Sequence, residues 1–201
     1  MPFDVFDTHA VEYDRWYDDH RTIYKQELQL IRKYIGGTRV DLEIGVGTGR
    51  FATPLGIRLG IDPSLPMLRM ARARGVAAIQ GVAEALPFRE ASMGSVLVMT
   101  SLCYFDDPRL AFREISRVLA PGGKVIIGFL GRGGEIAERY RNTRDKGTFL
   151  AHATFYTLGE VTRMLGDAGF SDIELDTYGR AFMKGFHVVT AKRPEKESSL
   201  S

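Results

Sequence analysis

The stretch V-D-L-E-I-G-V-G-T-G-R-F, residues 40 to 51, decides how this chain is read. Apolar Val40, Leu42 and Ile44 lead into Gly45, Gly47 and Gly49. That pattern predicts a strand, a tight turn and the start of a helix. Glycines recur where a strand must reverse into a helix over a ligand, because the turn calls for positive φ and for backbone with no Cβ in the way. The backbone itself then becomes the binding surface. Glu43 is a carboxylate near the end of an otherwise apolar strand, where burial costs free energy unless a donor or water meets it. It is expected to face a ligand crevice. The next apolar run, Ile57, Leu59 and Ile61, ends in Asp62, where a carboxylate can accept hydrogen bonds from two ribose hydroxyls.

Working outward, L-P-F follows at residues 86–88 and L-A-P-G-G at residues 119–123. Dinucleotide enzymes share the physics of a lone glycine-rich turn. Four motifs in this order are more specific, and they resemble the class I S-adenosylmethionine-dependent methyltransferases. The likeness is closest to the small-molecule branch that includes quinone-biosynthesis C-methyltransferases, and it covers residues 10 to 192. It implies an α/β fold with a doubly wound, mostly parallel seven-stranded sheet, Rossmann-like, with an antiparallel C-terminal strand pair. It also implies S-adenosylmethionine as cofactor, and methyl transfer to a small organic acceptor.

The resemblance carries over residue by residue. Ala10, Tyr13, Asp14 and Trp16 match an A-x-x-Y-D-x-W segment that lies over the cofactor in the family, with Tyr13 as the contact. Glu43, Gly45, Gly47 and Gly49 form the first turn, and Asp62 and Pro63 follow the second strand. Met67 matches a position that lies under the adenine. At Val82-Ala83-Glu84 the family usually has an acid where Val82 stands, so a side-chain contact to the adenine is lost there while backbone amides remain. Thr100 at the end of the fourth strand and Leu102 just beyond it lie at the carboxyl edge where doubly wound sheets bind ligands.

Composition bounds the rest. A chain of 201 residues suits one domain that buries about 70% of its unfolded surface. The expected layout is a single domain over 1–192, with an N-terminal helical lid at 9–36, a cap insertion at 131–156 and a disordered tail at 193–201. Net charge is +2 with no long basic run, which argues against a nucleic-acid partner. The single cysteine, Cys103, cannot close an internal disulfide, and no His/Cys cluster suggests a metal. With an acidic N-terminus that lacks an apolar run, a cytoplasmic protein without membrane or export segments is expected. The sequence does not speak to oligomeric state.

Further elements follow from periodicity. Residues 9–35 read as one or two helices, their aromatic residues serving either core packing or a lid. Pro54 and Gly56 cut short the helix after the glycine turn. Ser64 and Thr157 are expected N-caps, and a helix from Asp107-Pro108 carries Leu110, Ala111, Ile115, Val118 and Leu119 on one face. Strands are expected at 76–79, 95–101, 124–130, 172–178 and 186–192, and a polar helix at 135–144.

A sulfonium already activates the methyl group, so positioning and, where needed, removal of one proton suffice. His152, in the cap insertion, is the candidate base. Two other readings stay open: an NAD(P)-dependent oxidoreductase, against which G-x-G-x-G lacks the G-x-x-G spacing that presents a helix N-terminus to pyrophosphate, and a non-catalytic nucleotide-binding module.

Overall fold

The computed structural model describes residues 4–35, 41–135, 137–138, 149–178 and 185–195. Val40, residues 36–39, most of the expected 135–144 helix and the tail beyond 195 lie outside the described residues. Three helices, α1 (Asp4–Thr8), α2 (Ala10–Asp19) and α3 (Arg21–Ile35), precede the sheet. Then come β1 (Leu42–Ile44), α4 (Ala52–Leu55), β2 (Leu59–Asp62), α5 (Leu65–Ala73), β3 (Ala77–Gln80) and β4 (Met93–Met99). The remaining elements are α6 (Pro108–Val118), β5 (Leu119–Leu130), α7 (Leu158–Asp167), β6 (Ser171–Tyr178) and β7 (Phe186–Lys192), with short 3-10 turns at Leu102–Tyr104 and Leu150–His152.

The sheet order is β3-β2-β1-β4-β5-β7-β6. Neighbours pair in parallel except β7, which runs against both β5 and β6. This is the expected doubly wound sheet with its antiparallel C-terminal pair. The chain winds outward from β1 to β3 and then returns to place β4 on the other side of β1. That reversal opens a crevice beyond the carboxyl ends of β1 and β4.

Period-two alternation explains the two-sided core. Val96, Val98, Val125 and Ile127 pack on one face with Phe112, Ile115 and Leu165 of α6 and α7. Leu97, Met99 and Ile126 point the other way, onto Ile31 of α3 and Leu68 of α5. In β1 the same parity sends Leu42 and Ile44 to the first face. Glu43 between them must point to the other, beneath α2.

Local chemistry sets the helix ends. Ser64 accepts a hydrogen bond from the Met67 amide, and the Asp107 carboxylate accepts from the Arg109 and Leu110 amides. Thr157 and Glu160 form a reciprocal capping box. Such caps contribute about 1 kcal/mol each. Helix α4 is only four residues long and closes at left-handed Gly56, as Pro54 and Gly56 predicted.

Three details differ from expectation. In α6 the buried face is Ala111, Phe112, Ile115 and Val118, while Leu110 is 37% exposed. Leu110 stands a further 100° around the helix from Ala111, which turns it out of the stripe that Phe112 completes. Strand β4 stops at Met99 because Thr100 turns the chain with a φ of 54°. Strand β5 begins at Leu119, opposite Met93, and resumes pairing at Lys124 opposite Ser95, so P-G-G is looped out within a strand edge.

The sheet ends on two dissimilar strands. β3 has four residues, and the Arg72 guanidinium donates twice to its Ala78 carbonyl. β6 reads S-D-I-E-L-D-T-Y, with Asp172, Glu174 and Asp176 exposed, a register shift near its start and a φ of 48° at Asp172.

Candidate functional site

At the crevice, the ends of β1, β2 and β4 open into a cleft of about 670 Å³, counting the part open to solvent. Gly45 and Gly47 form one wall, Asp62, Pro63 and Met67 a second, Gly81 to Glu84 a third, and Met99 to Ser101 a fourth. Phe6 of α1 and Tyr13 of α2 reach in from the N-terminal helices, and Tyr104 and Phe105 from beyond β4.

The turn is shaped by close approach. Gly45 has a φ of 72°, and a Cβ there would sit 2.3 Å from Ser101 Cβ. Gly47 has a φ of 50°, and the space over it belongs to Tyr13, whose Cε1 would lie 3.8 Å from an added Cβ. Gly49 serves a different end. A Cβ there would meet Ala71 at 3.2 Å and Val76 at 3.4 Å, so it lets the turn pack on α5 and does not line the cleft. Thr100, a left-handed residue without glycine's freedom, sits on the cleft wall. Backbone strain of this kind concentrates at ligand sites.

Asp62 is held from both sides. One carboxylate oxygen accepts from the Gly47 amide at 2.9 Å and the other from the Ser64 amide at 2.9 Å. Burial pushes its pKa up to about 6, and the two amides restrain that rise.

A smaller hollow of about 240 Å³ adjoins the cleft, sharing Tyr13, Gly45, Gly47 and Met99 with it and adding Tyr17, Glu43 and Arg50. Glu43 is 1% exposed, and among the described residues its Oε2 is the buried side-chain polar atom without a hydrogen-bond partner. Burial drives its pKa well above the usual carboxylate range, opposed by the Ala52 amide. Above it the Tyr13 and Tyr17 hydroxyls lie 2.9 Å apart. Burial raises both phenols, so they stay neutral at ordinary pH.

Beside the smaller hollow, which Thr48 and Arg50 help to line, α2 is fastened to the glycine turn. Asp14, 8% exposed, accepts from Thr48 Oγ1 at 2.6 Å, Arg50 Nε at 2.8 Å and Nη2 at 2.7 Å, and Arg74 Nη2 at 2.8 Å. Burial pushes its pKa up, but the hydrogen bonds from Arg50, Arg74 and Thr48 outweigh it and hold Asp14 below the usual carboxylate range. Asp18, one turn on, takes Arg50 from the other side at 2.7 and 3.1 Å.

Of the residues expected at the cofactor, Tyr13, Gly45, Gly47, Asp62, Pro63, Met67, Val82, Ala83, Glu84 and Thr100 line the cleft. Glu43 lines the adjoining hollow. Leu102, 1% exposed, packs in the core. Glu84 also accepts from the Asp107 amide at 3.2 Å. His152 is exposed on its 3-10 turn and is not among the lining residues.

Sequence reading missed Phe6, Ser101, Tyr104 and Phe105 on the cleft wall. Phe6 lies edge-on to Tyr13 and Tyr104 and stacks on Phe149, with ring centroids 4.9 to 5.6 Å apart. Phe6, Tyr104 and Phe105 lie outside both the helical lid at 9–36 and the cap insertion at 131–156, so no local pattern in those segments points to them. The aromatic residues of α2 divide between core and cleft: Tyr17 is buried, Tyr13 lines the cleft, and Trp16 is 37% exposed, stacked on His20.

A family model described as a methyltransferase domain matches residues 42–127. An uncharacterised protein of Methanocaldococcus jannaschii is 39% identical over 170 residues, covering 85% of this chain and 82% of its own length. An uncharacterised protein of Mycobacterium tuberculosis is 44% identical over 165 residues, and there the match spans 80% of this chain but only 58% of the relative. Among solved structures, a Thermotoga maritima protein described as an S-adenosylmethionine-dependent methyltransferase, possible histamine N-methyltransferase, superposes with a TM-score of 0.87 at 32% identity, covering 95% of this chain and 99% of its own.

Proposed function

The chain belongs to the S-adenosylmethionine-dependent methyltransferases, and from that membership we propose that it methylates a small organic molecule enclosed between its N-terminal helices and the segment following β5. The observation that carries this is the aromatic end of the cleft. Phe6, Tyr104 and Phe105 extend the lining beyond the glycine turn and Asp62, so the same space offers a nucleoside end and an apolar end.

The residues present fit the cofactor. The left-handed turn at Gly45 and Gly47 leaves backbone free of Cβ atoms, and the Asp62 carboxylate stands at the cleft to accept from ribose hydroxyls. The unpartnered Glu43 Oε2 suits an ammonium, a donor that would satisfy a buried carboxylate otherwise costly to keep. Met67 and the backbone of Ala83 and Glu84 would border the adenine. When bound, the cofactor supplies a methyl carbon on a positively charged sulfur, open to in-line attack by an acceptor lone pair, with the electron pair of the broken bond leaving on sulfur.

The protein's part is then orientation and exclusion of water. Neutral Tyr13 and the aromatic residues around Phe6 offer electron-rich faces near a sulfonium, a favourable arrangement, and they keep the reacting volume dry. A proton released by the acceptor passes to solvent, since His152 is exposed and does not line the cleft. The first acceptors to try are imidazole amines, after the description of the Thermotoga relative, and phenols or quinols, after the quinone-biosynthesis resemblance.

The test has two stages. S-adenosylhomocysteine at ~100 times its dissociation constant should stabilise the protein by about 2.7 kcal/mol in a thermal scan, while NAD and NADP leave it unmoved. Incubation with methyl-labelled cofactor and that acceptor panel should then move label into a small molecule, one product per cofactor consumed. Label found only in protein or nucleic acid would overturn the small-acceptor reading.

A further inference from the structure

We propose that Asp14, which lines neither hollow, is a positioning residue: through its ties to Thr48, Arg50 and Arg74 it sets the rotation of α2 about its axis, and thereby seats the Tyr13 ring over Gly47. The proposal rests on the reading of the cleft as the cofactor site.

Helix geometry supplies the first step. Residues four apart share a helix face, so Asp14 and Asp18 form one edge of α2 and Tyr13 and Tyr17 the adjacent edge. Both carboxylates grip the same Arg50 guanidinium, while the tyrosines form the lid of the hollow that holds Glu43. Fixing one edge of a rigid helix fixes the direction in which the other points.

The partners of Asp14 show what the helix is fixed to. Thr48 and Arg50 belong to the glycine turn itself, and Arg74 caps the C-terminus of α5. Arg74 also donates to the Thr48 carbonyl at 2.7 Å, and Tyr24 of α3 donates to the Arg50 carbonyl. The clasp therefore joins α2 to the loop whose backbone lines the cleft, and to the helix whose Met67 borders it. A generic brace would tie α2 to any stable surface. This one is registered against the ligand-bearing turn.

The charge of Asp14 matters as much as its shape. It meets two guanidiniums and a hydroxyl, all donors, with its side chain only 11% exposed. An amide in its place would present donors of its own to Arg50 or Arg74 and could serve fewer of them. Asp18 keeps its own hold on Arg50, so α2 stays attached when Asp14 is changed.

A double-mutant cycle on affinity tests this, because a residue acting through Tyr13 loses its effect when Tyr13 is gone. The probe is S-adenosylhomocysteine, followed by calorimetry on the full chain, with thermal unfolding of each variant measured alongside. Asp14→Asn should weaken binding on the order of 10-fold in the unmodified background and less than about 2-fold in a Tyr13→Ala background. The loss of thermal stability should be the same in both. Arg74→Ala, which removes one arm of the clasp from outside the cleft, should show the same dependence with a smaller effect, and it carries the test if Asp14→Asn does not fold. Equal affinity losses in both backgrounds, or a stability loss with unchanged affinity, would overturn the proposal and leave Asp14 a plain brace. Unchanged affinity in Tyr13→Ala alone would overturn the proposal while the cofactor reading stands. Failure of the unmodified protein to bind the probe would overturn both.

Discussion

The Asp62 carboxylate, at the end of β2, accepts a 2.9 Å hydrogen bond from the amide of Gly47 in the turn after β1. The glycine turn after β1 and the acid that ends β2, two separate signals in the sequence, thus meet in one contact. Its geometry ties the acid to the wall of the cleft while leaving it lone pairs to spare, since an ionised carboxylate has about four acceptor sites.

Asp62→Ala should therefore weaken S-adenosylhomocysteine binding on the order of 10-fold to 150-fold, the equivalent of charge-assisted bonds worth about 1.5 to 3 kcal/mol. Calorimetry on a variant with native circular dichroism reads this directly. Undiminished affinity would make Asp62 a local tie for the Gly47 and Ser64 amides and nothing more.

The empty protein should lose stability as pH rises from 5 to 8. Asp62 is raised by burial to about 6 and Glu27 to about 8, and burial also raises Glu43 well above its ordinary value. A carboxyl whose folded pKa exceeds its unfolded value contributes stability that is complete below the unfolded value and is lost as pH climbs through the folded one. Asp14 is depressed, so its contribution is already complete above the unfolded value of 3.8 and adds no slope in this range. His187, lowered by burial, opposes the trend only below its ordinary value of 6.5. Thermal midpoints across this range, with and without S-adenosylhomocysteine, provide the check, and midpoints that rise with pH in the empty protein would contradict the assignment.

Glu43→Gln should separate folding from binding. The amide keeps the volume, can accept from the Ala52 amide and removes the cost of a buried acid with one unpartnered oxygen. Stability at pH 8 should hold or rise, while affinity for S-adenosylhomocysteine falls by about 10-fold through loss of a charge-assisted bond. A fall in both together would mean that Glu43 supports the fold instead of the ligand.

Gly45→Ala should destabilise the protein by about 1 to 3 kcal/mol, because it overpacks the turn, with about 1 to 2 kcal/mol more for a Cβ in the left-handed region. The clashing group is the Ser101 side chain, 2.3 Å from the added carbon. Ser101→Gly in the same chain should therefore recover the steric part and leave the backbone part, which urea unfolding of the two variants resolves.

The parts of this molecule legible in sequence were those encoded within a few residues. The glycine turn, the acid after β2, the Ser64 and Thr157 caps and the short α4 each follow from neighbours in the chain. Gly45, Gly47 and Gly49 look alike in sequence, and only tertiary neighbours reveal that the first makes room for Ser101, the second lies under Tyr13 and the third packs on Ala71. Asp14 finds its partners 34, 36 and 60 residues away, a convergence that no local pattern announces. Phe6 and Tyr104 likewise meet only because the sheet brings α1 over the end of β4. Leu110 was misplaced on α6 because a one-residue choice of face looks equally apolar until Phe112 is seen to fill the core.

The contrast between the two outer strands bears on behaviour in a crowded solution. An unpaired strand edge invites a second copy to add its own strand, and short, charged or kinked edges discourage it. β3 gives a newcomer four residues, with Arg72 already occupying the Ala78 carbonyl. β6 would bring Asp172, Glu174 and Asp176 of one molecule against the same acids of the next, beginning from a kinked residue. Each edge thus carries its own deterrent against ribbon-like self-association, one by brevity and a guanidinium plug, the other by repulsion. Neutralising the three β6 acids would leave half-exposed Leu175 on an uncharged edge and remove the repulsion that deters a second copy from pairing there.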